Sequence, residues 1–499
     1  MNKLTRTLAL LAALAMTATA FVGCGEDKDS SSSTAATTAA EESSEESSAE
    51  ESSKETSAAE ESSEESSESN ATGATELGAV SMPDTGDVLS VLCWTDDDLK
   101  FMIPIVEAAY PDMAGKIKYV NVGSKGPEAS EQYTTYFSSG SDVDLYFCDA
   151  DWAMSYENND EYSAPLESIG ITKDMYTDAY SYTLAIGTDS NGVFKGATWQ
   201  AAAGGFAYRA DLAEEYLGVT SPDEMQAQIG SWDDFWKTAA TVYEKSGGKT
   251  AMADCLAGVW RAYSAGNRTT PWVQDGKITS DNVKATVGDF ISMAKTNYEA
   301  GYISTAEQWG DDWYAQGQSD GALANGAFGY FLPTWGVADG ASALATAEGE
   351  SAKGQYAICQ GPTDWYWGGT WICVHPNCDN GTFAGQFIKA MTVDADSMKQ
   401  YVADHSDFVN NKTVMSEVVS AGSNSNSLLK DGQDQFSIFA KGADNIKLDG
   451  IASQYDGTIT TKFNDAVTSY AKGDIDSEDA CINSFLDEVA AAIPDIEVE

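Results

Sequence analysis

Histidine is nearly missing from this chain. Two residues in 499, His375 and His405, stand without a partner at metal-ligand spacing, so neither a zinc centre nor a histidine-based catalytic triad is expected. Positive charge is scarce as well. The 28 Lys and Arg face 78 Asp and Glu, a formal charge of −50, which excludes a nucleic-acid binder because neutralising phosphates needs a basic surplus. Long apolar runs are absent except at the N-terminus, and that one is too short to span a bilayer, so a multipass membrane protein is excluded. There is no G-x-S-x-G, no P-loop and no G-x-G-x-x-G opening a helix. With so many acids a chance carboxylate pair is expected, so glycoside hydrolysis stays open on that count alone. What is present suffices for a folded protein: 42% hydrophobic and 11% aromatic residues exclude a wholly disordered chain.

The first residues form an export signal. Lys3 and Arg6 make a basic start, Leu8–Ala15 an apolar stretch, and small residues follow. The region ends Phe21-Val22-Gly23-Cys24, which resembles a bacterial lipoprotein lipobox, with Phe21 where Leu is usual. That resemblance implies a signal peptide over 1–23 and a lipid on Cys24. Composition then changes completely. From Asp29 to Asn70 the chain is almost only Ser, Glu, Ala and Thr, with no aromatic residue to offset the ordering entropy. Residues 24–79 therefore read as a disordered, acidic tether. A flexible coil of ~50 residues reaches about 40 Å. The tether carries only part of the charge, since residues 79–499 alone hold a net −38.

The remaining 420 or so residues exceed one simple core, so two lobes are expected. Val88–Trp94 and Asp144–Cys148 are continuous apolar runs of the kind found in parallel strands buried on both faces, and Lys116–Val122 is a third strand. Helical stripes fill the intervals, over Asp98–Tyr110 and Pro127–Ser139, with Pro104 predicting a kink or a late start in the first. This is a βαβαβ pattern and predicts a doubly wound parallel sheet. Downstream, Ser231 and Ser477 read as helix caps, while Ala327–Leu332, Gln355–Cys359 and Trp371–Val374 read as strands.

Ligands of open parallel sheets bind beyond the carboxyl ends of the strands. The first strand ends in Trp94, Thr95 and Asp96, and the third in Asp149, Asp151 and Trp152. An indole face beside carboxylates suits a sugar, whose C–H face stacks while its hydroxyls donate. Core packing for the indoles, and capping of the next helix for Asp149 or Asp151, are the plainer readings. Trp199, Trp335, Trp365, Trp367 and Trp371 form a second aromatic group, several of them amid Gly and Pro that disfavour core helices, and Trp199, Trp335, Trp367 and Trp371 are further ligand candidates. After Cys24 seven cysteines remain. Free buried thiols are favoured over the pairs Cys93–Cys148 and Cys359–Cys373.

Four segments together resemble the extracellular solute-binding proteins of family 1, the carbohydrate-binding subunits of ABC importers. They are GGFAYRADLAEEYLG, GAFGYFLPTW, WGGTWICVHPNCDNGTFAGQFIKAM and DAVTSYAKGDIDSEDACINSFLDEVAAA, the last with Gly473, Ser477 and Cys481 at fourth-residue spacing. The resemblance implies an α/β, two-lobed clamp of the periplasmic-binding-protein type II fold, with a hinge between lobes. Lobe one is expected over 80–203 plus 366–408, and lobe two over 204–365 plus 409–499. It also implies no enzymatic activity and no cofactor or metal. The expected partners are a carbohydrate and the permease subunits of a transporter, with a monomer held to the outer membrane face through Cys24. By position it points to Trp94, Thr95, Asp96, Asp149, Asp151, Trp152, Trp335 and the Trp367–Trp371 segment at the ligand.

Overall fold

A computed structural model describes residues 76–123, 127–318, 326–339 and 342–499. The signal peptide, Cys24 and nearly all of the expected tether lie outside the described residues.

Two sheets organise the chain. The first begins with β1 (Leu89–Cys93), α1 (Asp97–Ala109), β2 (Ile117–Asn121), α2 (Pro127–Ser138), β3 (Leu145–Asp149) and α3 (Ala150–Glu157). β4 (Gly196–Thr198) and β10 (Thr370–Val374) complete it in the order β2-β1-β3-β10-β4. β1 runs parallel to β2 and β3, with Leu89 opposite Ile117 and Val91 opposite Leu145. The expected all-parallel sheet is corrected here. β10 is antiparallel to both β3 and β4, because it enters from the opposite lobe and so meets β3 head to tail. Pro104 lies inside α1 and neither delays nor ends it.

The second sheet joins β5 (Gly204–Arg209), β6 (Thr250–Ala253), β8 (Gly326–Pro333) and β9 (Tyr356–Cys359) in the order β6-β8-β5-β9. Its period-two alternation separates two cores. Phe206, paired with Phe331 and Cys359, faces one of them. Ala207, paired with Tyr330 and Ile358, faces the other. The Phe206 side is closed by α4 (Leu256–Asn267), α5 (Asp456–Lys472) and α6 (Glu478–Ala492). There Trp260 lies 4.4 Å from Phe463 and Trp272 lies 5.5 Å from Phe485. The Ala207 side is covered by residues from 414 to 448, including Leu429, Phe436 and Phe439, which merge with the core of the first sheet. A short parallel ribbon of β7 (Lys277–Ile278) and β11 (Glu497–Val498) ties down the C-terminus.

Local sequence explains several boundaries. Ser231 Oγ accepts from the Asp234 amide to start the helix Trp232–Lys245, and Ser477 caps α6 in the same way. The described residues engage the fold before residue 80. Leu77 packs in the first core, the Gly78 amide donates to Gly170 at 2.8 Å, and Asp84 caps the helix Gly381–Thr392 through Thr382. The seven cysteines from Cys93 to Cys481 are free and buried. Cys359 and Cys373 stand on different sheets and in different cores, each as a free thiol.

The chain passes between the lobes near residues 198–204, 365–370 and 407–411. These crossings pair with one another, Gln200 with Val409 and Ala203 with Tyr366, and Gln200 Nε2 donates to Asp407 at 2.6 Å.

Candidate functional site

At the carboxyl end of β1, Trp94 is half-buried and meets the half-buried Trp152 of α3 edge to face at 5.6 Å. Tyr133 and Tyr156 hold Trp152 at 5.4 and 5.3 Å. The Trp152 indole N–H is buried without a partner among the described residues. Thr95 and Asp96 are committed locally. Thr95 donates to Asp97 at 3.2 Å, and Asp96 accepts from Tyr119 and Asn121 at 3.1 and 3.0 Å. Loss of solvent opposes the charge on Asp96, but hydrogen bonds from Tyr119, Lys100 and Asn121 hold its carboxyl below the usual range.

At the end of β3 the two carboxylates differ in state. Asp149 caps α3, accepting from the Asp151 amide at 2.9 Å. Desolvation and then the charge of Asp151 push its carboxyl up to about 7. Asp151 reaches across to the other lobe and takes a bidentate grip from Arg261 of α4 at 2.7 and 2.9 Å. Desolvation works against the Asp151 charge, yet Arg261 keeps its carboxyl below the usual range. The Arg261 guanidinium also lies over the Trp367 ring at 5.2 Å. The lobes touch here, since a Cβ on Gly457, in the first turn of α5, would sit 2.1 Å from the Asp151 carbonyl oxygen.

A wall of three indoles stands on the side of lobe two. Trp335 follows β8 and donates to the Trp367 carbonyl at 2.9 Å, with the rings 5.3 Å apart. Trp309 stacks on Trp335 at 6.1 Å and 21°, and lies 5.2 Å from Trp367. Trp309 is 45% exposed and its backbone is left-handed, with φ +71. Bulky residues avoid that region at a cost of about 1–2 kcal/mol. The position is fixed from behind. Trp313 packs on Trp309 at 5.1 Å, and its indole donates to the buried Asp254 at 2.7 Å. Gly368, at φ +65, lies between the lobes: a Cβ there would stand 3.4 Å from both Asp149 Oδ2 and Trp335 Nε1.

The structure thus brings Asp149, Asp151, Trp335 and Trp367 together, and sets Trp94 against Trp152 at the ends of neighbouring strands. It places Trp199 and Trp371, both expected at the ligand, in the core of lobe one. Trp199 donates to Tyr401 at 3.2 Å and Trp371 to the Thr183 carbonyl at 3.2 Å, so the protein itself satisfies both indoles. Trp365 is buried in the second core. Two residues escaped sequence reasoning, Trp309 and Arg261. A Trp followed by Gly in EQWGDD was the available signal for the first; none marked the second.

No family model matches the chain, and no curated protein matches it. Solved structures do. A crystal structure of an extracellular solute-binding protein of family 1 superimposes with a TM-score of 0.68 at 18% identity, covering 82% of this chain and all of that one. An ABC-transporter-associated binding protein from B. animalis subsp. lactis Bl-04, solved with β-1,6-galactobiose, gives 0.60 at 16% identity, covering 83% of this chain and 99% of its own. The galacto-N-biose/lacto-N-biose I-binding protein of the ABC transporter from Bifidobacterium longum, solved with lacto-N-biose, gives 0.61 at 15% identity, with 83% and 100% covered. This chain has the two-lobed fold of these proteins.

Proposed function

We propose that this protein is an extracellular receptor that captures a neutral sugar between its lobes and passes it to a membrane permease, tethered through a lipid on Cys24. The observation that carries the reading is the indole wall, with Trp309 exposed, Trp335 half-buried and Trp367 buried behind them, beside an Asp149 carboxyl pushed up to about 7 and an Asp151 carboxylate paired with Arg261. Indole faces stack on the C–H faces of sugar rings, while Asp149 and the Arg261–Asp151 pair meet hydroxyls. The mechanism is binding and lobe closure, with no bond made or broken. The sugar-bound neighbours of the same fold support the ligand class and the transporter partner.

A receptor for a cationic solute such as a polyamine is the rival reading, since indoles beside carboxylates also suit a cation through cation–π contacts and ion pairs. It is disfavoured by the site, because Asp151 is neutralised by Arg261 and the Asp149 carboxyl holds its proton up to about pH 7. A thermal-shift panel of neutral sugars and polyamines, repeated at low and high salt, tests the proposal. Stabilisation by a sugar that is insensitive to salt is expected. Stabilisation by polyamines alone, weakening with salt, or release of sugar products on incubation, would overturn it.

A further inference from the structure

Asp254 follows β6 at its carboxyl end and is fully buried, a place where a carboxyl keeps its charge only among donors or cations. Three donors surround this one. The Trp313 indole and the Cys255 thiol both donate to Oδ2, at 2.7 and 3.0 Å, and the Phe331 amide donates to Oδ1 at 3.3 Å. Each donor leads to a different part of the site. Trp313 backs Trp309 at 5.1 Å. Cys255 caps α4, its sulfur accepting from the Gly258 amide at 3.3 Å, and that helix carries Arg261. Phe331 lies in β8, whose end leads to Trp335. Gly258 lets the first turn of α4 come close, since a Cβ there would stand 2.9 Å from Asp254 Oδ1.

Desolvation pushes the Asp254 carboxyl up to about 6, against the hydrogen bonds from Cys255, Trp313 and Phe331. The other titratable groups that face it keep their protons. Burial, and then the charge of Asp254, push the Cys255 thiol far up, and burial does the same to Tyr330 of β8 and Tyr356 of β9. The cations on neighbouring elements are turned elsewhere, Arg209 to Asp211 and Arg261 to Asp151. Asp311 and Asp312, beside Trp313 in the chain, are exposed. Protonation of Asp254 therefore acts on its donors, and the bonds from Trp313 and Cys255 lose the share of their strength that the charge supplies.

Resting on the sugar-receptor reading above, we propose that Asp254 is a positioning residue whose proton controls ligand affinity: ionised, it holds Trp309, through Trp313, and the Arg261 helix in one arrangement, and protonated it releases Trp313, so that the receptor loads in neutral medium and unloads in mild acid. The sign follows from linkage. The loaded receptor needs the tie, so its Asp254 titrates lower than in the free receptor, and affinity falls as pH drops through about 6.

Fluorine NMR of the whole folded protein made with fluorotryptophan, titrated from pH 8 to 5 without sugar, tests the tie. The Trp309 and Trp313 signals are assigned by their loss in Trp309→Phe and Trp313→Phe. Both should move with a common midpoint near 6. Asp254→Asn should abolish the movement. Cys255→Ala, which removes one donor to the carboxylate, should shift the midpoint upward. Trp313→Phe, which keeps a ring but not the donor, should give Trp309 its acid signal already at pH 8. Calorimetric titration of the neutral sugar that stabilises the protein most in the thermal-shift panel should weaken about tenfold between pH 8 and 5, the effect of a one-unit difference between free and loaded midpoints. Most of that fall should vanish in Asp254→Asn. A Trp309 signal that does not move, a midpoint that Cys255→Ala leaves in place, or a fall that persists in Asp254→Asn overturns the proposal while the receptor reading stands. Should Asp254→Asn misfold by circular dichroism, Cys255→Ala and Trp313→Phe decide. If no sugar of the panel stabilises the protein, the receptor reading fails, and with it the control of affinity.

Discussion

Trp309 offers the sharpest perturbation, because its conformation and its exposure make separable claims. Its 45% exposure leaves about 110 Å² of a ~250 Å² indole free for a ligand, and a stacked ring covers ~80 Å² of that. At ~25 cal/mol per Å² the loss on truncation is about 2 kcal/mol, or roughly 30-fold in Kd. Trp309→Ala and Trp309→Gly should both show it by calorimetric titration. The two variants should differ in stability. A left-handed backbone costs an alanine about 1–2 kcal/mol, and glycine's extra chain entropy returns only part of that. The Gly variant should therefore be more stable than the Ala variant by about 1 kcal/mol in denaturant unfolding. Wild-type affinity in both would remove Trp309 from the site. Equal stability of the two would refute the claim that strain is held at this position.

Gly457→Ala should lower sugar affinity at least tenfold and raise the radius of gyration in X-ray scattering, because the new Cβ would meet the Asp151 carbonyl at 2.1 Å; unchanged values for both would show that this contact is not needed for closure. Asp149 should give the stability curve a slope. Its folded-state carboxyl titrates at about 7 against an ordinary 3.8, so the stabilisation from protonating it is full below the lower value and is lost as pH rises through the upper one. Asp149→Asn should flatten melting temperature between pH 4 and 7; an unaltered slope would assign it to other groups. Cys24→Ala should move the protein from the membrane fraction to the medium, whereas a lipidated variant that still sediments would refute the anchor.

Lobe one was legible because β1 and β3 are buried on both faces. Continuous apolar runs such as VLSVLC and DLYFC leave few alternatives, and the capping serines fix helix starts through one local hydrogen bond. The direction of β10 was not legible, since a strand's composition is the same read either way and only the path of the returning chain decides it. The tryptophans divided for a similar reason. Pro and Gly near an indole signal irregular backbone, but they do not say where the ring points. Trp335 follows Pro333 and reaches the cleft, while Trp371 follows two glycines and turns into the core to meet Thr183.

The charge of the ligand was the hardest thing to read, because composition and site point in opposite directions. A chain with a net −50 invites a cationic solute. Arg261 and Asp151, 110 residues apart in sequence, cancel each other only once α4 is laid against α3. Arg268 and Asp456 do so across 188 residues. Burial, and then the charge of Asp151, push the Asp149 carboxyl up to about 7. Each cancellation is a long-range event with no trace in local composition, so the net charge of the whole chain does not describe the charge at the proposed site.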